Sequence, residues 1–272
     1  MDRKILVELR DKRVLLTKQK QGAERIIDLL QSNNVKIVHI PLIKIISSSD
    51  NYTALDNAIL SIRDYGGIVF TSPNAVRSFF SRIENVFSEI NILDLLSSFE
   101  WIAAVGQVTK DALSAFGVGN IVLPDDNHYS GAGLAKKICK MNLVNKKILF
   151  PASNIYDDSF PNALREHDFC VDYVEAYQTV VSDDIDKPRL KNLIASNKID
   201  IILFHSPSAV RALTSICNKE IEKFRGALYC IGKTTYQAAC KTGETLTNIV
   251  SPLSGFRIHE FVQKDRRKLS SF

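Results

Sequence analysis

The segment Phe70-Thr71-Ser72-Pro73-Asn74-Ala75-Val76-Arg77 recurs 134 positions later as Phe204-His205-Ser206-Pro207-Ser208-Ala209-Val210-Arg211. The same offset aligns Lys12–Leu16 with Lys146–Phe150. A shorter offset of 126 aligns Val105–Thr109 with Ile231–Thr235. Matches at one offset in separated segments indicate an internal duplication, so the chain consists of two related halves.

Each half alternates short apolar runs with segments of helical periodicity. The apolar runs predict strands at Val14–Leu16, Val35–Ile40, Gly67–Phe70, Trp101–Val105, Ile148–Phe150, Val171–Val174, Ile199–Phe204 and Leu228–Ile231. The periodic segments predict helices at 22–31, Ala75–Phe80, Thr109–Phe116, around 158–166, from Ala209 and from Thr235. Strands that alternate with helices predict an α/β fold with parallel, doubly wound sheets.

Length and composition are typical of a soluble globular protein of about two domains. The 272 residues are 45% hydrophobic and 24% charged, and the formal net charge is +5. This modest charge favours anionic ligands but gives no sign of nucleic-acid binding. No run reaches the ~20 apolar residues of a membrane span, and the N-terminus is too charged for a signal peptide. The expected location is the cytoplasm, with no membrane partner.

Cysteine usage argues against a disulfide framework and a zinc site. The five cysteines are Cys139, Cys170, Cys217, Cys230 and Cys240. Their number is odd, they form no Cys-x-x-Cys pair, and each lies in an apolar or helical context. We therefore expect free thiols that pack as small apolar side chains.

No stretch rich in Ser and Gly separates the two halves. The most loop-like region is 124–133, from Pro124 to Gly133, and it predicts an exposed connection within one domain.

Two serine–proline pairs follow predicted buried strands, as Ser72-Pro73 and Ser206-Pro207. Serine at the N-cap with proline at the first helical position is a usual helix start, so capping alone explains these pairs. Ligand binding is the second interpretation, because ligands of doubly wound sheets collect at the carboxyl ends of strands.

Glycine and threonine recur at two further strand ends. Gly106 and Gly232 close predicted strands, and Thr109 and Thr235 follow three positions later. Free N–H groups and a hydroxyl at a helix start can hold a carboxylate, although unoccupied turns would look the same. If the halves face one another, these helix starts would line a cleft suited to a ligand with many carboxylates.

Other catalytic motifs are missing from the sequence. Gly131-Ala132-Gly133 lacks the third glycine of a dinucleotide fingerprint, and neither a P-loop nor a Gly-x-Ser-x-Gly elbow is present. The neighbours His205 and Ser206 are poorly placed for a nucleophile–base pair, so the histidine is interpreted as incidental.

Seven segments in order resemble the uroporphyrinogen-III synthase family. They are Val14–Lys18, Pro41–Ile43, Phe70–Val76, Ala104–Thr109, Glu175–Thr179, Phe204–Val210 and Ile231–Thr235. Each motif alone is weak, but the seven occur in family order and include an internal duplication like that of the family. The resemblance covers about 14 to 252. Two departures concern single contacts: Lys18 stands where arginine is frequent, and Phe150–Asn154 lacks an arginine and a glycine.

The resemblance implies two flavodoxin-like domains that are interleaved in sequence and joined by a two-stranded hinge. One domain would comprise 1–37 and 180–262, and the other 46–172. Residues 38–45 and 173–179 would form the hinge ladder, and 263–272 would be a tail.

The resemblance also implies a cyclising hydro-lyase of tetrapyrrole biosynthesis that acts as a cytoplasmic monomer without a cofactor. Its small-molecule substrate would be hydroxymethylbilane, which is closed with loss of water and inversion of the last pyrrole ring. Tyr177 would be the catalytic proton donor, unless it is only a half-buried aromatic of the hinge. The substrate-binding residues would be Lys18, Ser72, Thr109, Ser206, Thr234 and Thr235.

Two alternatives remain open at this stage. One is a non-catalytic tetrapyrrole- or anion-binding paralogue of the same fold, against which the presence of Tyr177 and both threonine motifs argues. The other is a small-anion transferase, for which we expect a stronger nucleophile or base than the sequence contains.

Overall fold

The computed structural model describes residues 8–87, 89, 91–125, 129–242 and 249–250, and in most of this range strands alternate with helices. The strands are β1 Arg13–Leu16, β2 Lys36–His39, β3 Ile43–Ile46, β4 Gly67–Phe70, β5 Trp101–Ala104, β6 Ile121–Val122, β7 Lys147–Ser153, β8 Cys170–Val181, β9 Ile201–Phe204, β10 Ala227–Cys230 and β11 Ile249–Val250. Each of the eight strands predicted from an apolar run is present.

Among the described residues, the six helices predicted from periodicity are present, together with five that the sequence analysis did not predict. They are α1 Glu24–Gln31, α2 Thr53–Leu60, α3 Pro73–Val86, α4 Ile92–Leu96, α5 Gln107–Ser114, α6 Gly131–Ile138, α7 Ser159–Arg165, α8 Lys187–Ala195, α9 Pro207–Ile216, α10 Asn218–Ile221 and α11 Lys233–Lys241. A short 3₁₀ helix occupies Ile62–Asp64. The predicted α/β class is therefore confirmed.

The chain divides into two compact units. Unit 1 contains the residues up to Lys44 and from Val180 onward, and unit 2 contains Ile45–Thr179. The chain passes between the units within β3 and within β8. The exact domain bounds and the hinge ladder drawn from the family resemblance stay predictions, and 1–7, 251–262 and the tail lie outside the described residues.

The sheets of the two units have the same strand order. In unit 1 the order is β11-β10-β9-β1-β2, and in unit 2 the strands follow one another as β6-β5-β4-β7-β8, with β3 beside β8. The repeat aligns β1 with β7, β4 with β9 and β5 with β10. The pairings among β1, β2 and β9–β11, and among β4–β8, are parallel. Each unit therefore combines strands from both halves of the sequence.

The central strands of the two sheets are buried on both faces, which explains why β4 and β9 are apolar without interruption. In unit 1 the side chains of β9 alternate between two clusters, with Ile202 and Phe204 in one and Ile201 and Leu203 in the other. In unit 2 the residues of β4 divide in the same way between two clusters.

Two sequence-based expectations need correction. Residues 131–133 are not part of a loop, because they form the first turn of α6, where the hydroxyl of Ser130 accepts a hydrogen bond from the Gly133 amide at 3.1 Å. Cys217 and Cys230 are buried and Cys139 packs half-buried against an apolar cluster, as expected, whereas Cys170 and Cys240 are exposed.

No helix among the described residues is long and apolar enough to cross a membrane.

Candidate active site

A tyrosine–serine pair lies at the carboxyl edge of the sheet in unit 2. The phenol oxygen of Tyr177 is 2.9 Å from the hydroxyl oxygen of Ser72. Ser72 is the N-cap of α3, and its hydroxyl oxygen accepts a hydrogen bond from the Ala75 amide at 3.1 Å. The serine–proline pair is thus a helix start, as its sequence predicts, and its side chain also reaches the candidate proton donor.

A bulge in β8 sets the position of Tyr177. Ala152 pairs with Glu175, but the next residue, Ser153, pairs with Tyr177, so that β8 has one extra residue at this point. The extra residue is Ala176. A bulge breaks the alternation of side chains along a strand, and both Ala176 and Tyr177 are buried, with 6% of Tyr177 exposed.

The environment of Tyr177 keeps its phenol protonated. Burial raises the pKa of Tyr177 above its usual value, because the phenolate would lose its hydration. This pKa is lowered in part by hydrogen bonding with Ser72 and Ser153 and by the positive charge of Arg77. Tyr177 is therefore a neutral phenol at physiological pH that can donate a proton, with three nearby groups that would stabilise the phenolate.

Polar residues at the end of β7 form a network beside Tyr177 that the sequence analysis did not identify as part of the site. The hydroxyl oxygens of Ser153 and Thr179 are 3.0 Å apart. The side-chain oxygen of Asn154 accepts hydrogen bonds from the Thr179 amide at 2.8 Å and from the Ser153 hydroxyl at 2.9 Å. The polar pair Ser153-Asn154 after an apolar strand is the signal that could have indicated this network.

The predicted threonines differ in exposure. Gly106 and Gly232 have extended backbones and immediately precede α5 and α11. Thr109 and Thr235 lie in the first turns of these helices and are buried, with 2% and 3% exposed. Thr234 is exposed. Of the three threonines, Thr234 therefore has the hydroxyl most accessible to a ligand from solution.

The site residues predicted in unit 1 follow neighbouring strands of one sheet. Lys18 comes after β1, Ser206 after β9, and Thr234 and Thr235 after β10. Because β10, β9 and β1 are adjacent and parallel, these residues lie at the same edge of the sheet. The Ser206 hydroxyl caps α9 by accepting a hydrogen bond from the Ala209 amide at 3.2 Å.

The unit 2 residues have a similar arrangement. Ser72 follows β4 and Thr109 follows the neighbouring β5, while Tyr177 contacts Ser72 directly. Among the residues that the structure describes, no group of three or more His, Cys, Asp or Glu is arranged to hold a metal ion. The chemistry available at these edges is hydrogen-bond donation and proton transfer.

Comparison with known proteins gives one consistent result. A family model described as uroporphyrinogen-III synthase HemD matches residues 24–250. The chain is 27% identical over 235 residues to the chloroplastic uroporphyrinogen-III synthase of Oryza sativa subsp. japonica, with 85% of this chain and 72% of that protein covered. It is 26% identical over 231 residues to the porphyrin biosynthesis protein HemD of Ruminiclostridium josui, with 84% of this chain covered. The matched region spans 44% of that longer protein.

A solved structure has the same fold. A mutant uroporphyrinogen III synthase from the extremely thermophilic bacterium Thermus thermophilus superposes with a TM-score of 0.63 at 14% sequence identity. The match covers 96% of this chain and 100% of the Thermus chain. At this identity the likeness supports the fold alone.

Proposed function

The chain belongs to the uroporphyrinogen-III synthase family, and we propose that it closes hydroxymethylbilane to uroporphyrinogen III, with loss of water and inversion of the last pyrrole ring. The observation that carries this proposal is the family match over residues 24–250. The contact between Tyr177 and Ser72 supports it, because it holds a neutral acid in place.

Tyr177 donates the proton that lets the terminal hydroxyl of the bilane leave as water. The C–O bond breaks, the oxygen departs with the proton of the phenol, and a phenolate remains. Ser72 donates a hydrogen bond to this phenolate, and the positive charge of Arg77 attracts it. When the ring closes, the attacking pyrrole carbon loses a proton, and return of a proton to the phenolate regenerates the acid.

The hydroxyls and amides at the strand ends hold the acetate and propionate groups of the substrate. Ser72 and Thr109 act in unit 2, and Lys18, Ser206, Thr234 and Thr235 act in unit 1. Backbone N–H groups at the starts of α3, α5, α9 and α11 contribute, since helix N-termini attract carboxylates. Thr109 and Thr235 are buried and so contribute mainly by shaping these helix starts.

Most of the catalytic effect is conformational control. The bilane closes without inversion when no enzyme is present, so the protein must hold the last ring in the orientation that leads to the type III isomer. Holding two reacting groups in position can itself supply much of a rate enhancement. A strong nucleophile, a metal and a cofactor are unnecessary for this role, and we propose that the enzyme acts as a cytoplasmic monomer.

The competing candidate is a non-catalytic paralogue that binds tetrapyrroles or other anions. Such a protein would need the strand-end donors but not a buried phenol that is bonded to a serine. The test is whether the protein forms the type III isomer from porphobilinogen when the deaminase that makes hydroxymethylbilane is present.

A further inference from the structure

Two side chains of unit 1 have buried nitrogen atoms that find no hydrogen-bond partner among the residues that the structure describes. They are Nε2 of Gln19 and both ring nitrogens of His205. Native proteins seldom leave buried polar groups unpaired, because such groups have lost their hydrogen bonds to water without replacement. We therefore expect water or a ligand to bind these nitrogens.

Both side chains follow adjacent strands at the same edge of the sheet. β1 ends at Leu16, three residues before Gln19, and β9 ends at Phe204, directly before His205. The two strands are parallel, and Leu16 is paired with Leu203. The unpaired nitrogens thus lie at the carboxyl edge that also carries Lys18 and Ser206.

Unit 2 provides an internal comparison for these positions. The repeat aligns Gln19 with Ser153 and His205 with Thr71. The Ser153 hydroxyl is bonded within the protein, to Asn154 and Thr179 at 2.9 and 3.0 Å. In unit 2 the polar side chain at this strand end is therefore hydrogen-bonded by other protein groups. In unit 1 the corresponding positions have the longer side chains of Gln19 and His205, whose nitrogens have no such partner among the described residues.

The charges around His205 keep its ring neutral and its surroundings positive. Burial, together with the charges of Lys18 and His39, lowers the pKa of His205 to about 3. The carbonyl of Leu203 lies near the ring and acts in the opposite direction, but it meets the geometry of a hydrogen bond with neither ring nitrogen. This carbonyl accepts a hydrogen bond from the Thr17 hydroxyl at 2.9 Å. His39 is held by the contact of its Nε2 with the Lys18 carbonyl at 2.7 Å. A neutral imidazole has one N–H to donate, and the nearby positive charge favours an anionic acceptor.

We propose that Gln19 and His205 form a carboxylate-binding subsite at the carboxyl edge of the unit 1 sheet. The amide N–H of Gln19 and the imidazole N–H of His205 donate to the carboxylate, and Lys18 contributes charge. The identification of this carboxylate as an acetate or propionate group of the bilane rests on the proposed function. The subsite itself rests on the unpaired nitrogens.

The subsite can be tested without the reaction, using glutarate as the probe. Side-chain amide and imidazole nitrogen signals of the full-length protein are followed by NMR at pH 7.5 during addition of glutarate, at ionic strength held constant with chloride. We expect the signals of Gln19 and His205 to shift together and saturably. The ring of His167 is the internal control, because it is exposed and its Nδ1 already contacts the Ala163 carbonyl at 3.0 Å.

Substitution then tests the contribution of the subsite to substrate binding. His205→Thr introduces the residue that the repeat has at this position, and Gln19→Leu keeps the size of the side chain. Loss of a hydrogen bond to a charged group corresponds to about tenfold or more in affinity, so we expect KM for hydroxymethylbilane to rise about tenfold, with kcat within about twofold. His167→Thr should leave both constants unchanged.

The outcomes separate this inference from the proposed function. Saturable shifts without any type III product would support the subsite and contradict the proposed function. The subsite would be overturned if type III product forms while the Gln19 and His205 signals do not shift and KM is unchanged in both variants. Water would then be the partner of these nitrogens. A lower kcat at unchanged KM in both variants would also overturn the subsite.

Discussion

The phenol oxygen of Tyr177 and the hydroxyl oxygen of Ser72 lie 2.9 Å apart, although 105 positions separate the two residues. Ser72 caps α3 at the end of β4, and Tyr177 follows the bulge in β8. The strand between them, β7, pairs with both β4 and β8. This contact combines a helix cap with a candidate proton donor, and it leads to the first two predictions.

Tyr177→Phe should lower turnover more than removal of the hydroxyl of Ser206 or Thr234. A positioned proton donor contributes about 10²–10⁴-fold, and we expect the lower end because the hydroxyl of the bilane leaves readily. A neutral hydrogen bond is worth about 0.5–1.5 kcal/mol, or roughly tenfold at most. Steady-state kinetics on the variants, with folding checked by circular dichroism, provides the measurement. If Tyr177→Phe keeps near-wild-type turnover while a threonine variant loses it, another group is the acid.

Ser72→Ala and Ser206→Ala form a matched pair. Both substitutions remove a serine that caps a helix. The distances from the backbone amide nitrogen to the serine hydroxyl oxygen are 3.1 and 3.2 Å, so each substitution should reduce stability by about 1 kcal/mol. Only Ser72 is bonded to Tyr177, and its loss should raise the pKa of the phenol and weaken the acid.

Thermal unfolding and kcat of this pair can be compared directly. We expect similar losses of stability and a clearly larger loss of kcat for Ser72→Ala. Equal kcat values in the two variants would show that the contact with Tyr177 has no part in catalysis.

The unfolding free energy should fall as the pH is lowered from 6.5 towards 3. His205 has a pKa of about 3 in the folded protein and near 6.5 when unfolded, so in this range only the unfolded state binds its proton. The stabilisation that the neutral His205 gives is complete above pH 6.5. Below this pH the free energy of unfolding falls by up to about 1.4 kcal/mol per pH unit. Urea unfolding at pH 7.5 and 5.0 measures this loss.

His205→Thr is the control for the pH effect. The remaining histidines and carboxylates are common to both proteins, so the variant should lose about 1–2 kcal/mol less between pH 7.5 and 5.0. Equal losses would mean that the imidazole of His205 is protonated as easily in the folded chain as in the unfolded one.

Gly67→Ala should destabilise unit 2. Gly67 on β4 is paired with Trp101 on β5, and an added Cβ would lie 2.2 Å from a ring atom of the tryptophan. Trp101 is 5% exposed, so the ring has little room to move, and overpacking of this kind costs about 1–3 kcal/mol. Gly119→Ala is the control, because a Cβ there meets nothing within 4 Å. A midpoint of thermal unfolding as high for Gly67→Ala as for Gly119→Ala would contradict the packing described.

The strands and helices could be predicted because their signals are local. β4 coincides with the predicted Gly67–Phe70, since a run of four apolar residues between polar turns is typical of a buried strand. The first turn of α6 was missed because Gly131 and Gly133 disfavour helices, and only the cap at Ser130 and the packing of Leu134 offset this. The exposure of Cys170 could not be predicted either, because it depends on which neighbours cover the start of β8.

The sequence proposes residues for the candidate site, but it does not give their geometry. The family resemblance points to Ser72 and Tyr177, whereas their contact depends on the strand order and on the extra residue Ala176. Neither of these has a signature in a single sequence. His205 was interpreted as incidental because it is adjacent to Ser206, and neighbours at a strand end are poorly placed for a nucleophile–base pair. Its importance comes from burial beside Lys18 and from the lack of a partner, which only the folded chain reveals.

The most direct test of the proposed function is the isomer composition of the product made from porphobilinogen. The protein is added in increasing amounts to the deaminase reaction without added metal or nucleotide, and the oxidised products are separated by chromatography. We predict that the type III fraction rises with protein concentration to near completion, and that Tyr177→Phe requires about a hundredfold more protein for the same fraction. Type I product alone at every concentration of a well-folded sample would contradict the proposed function.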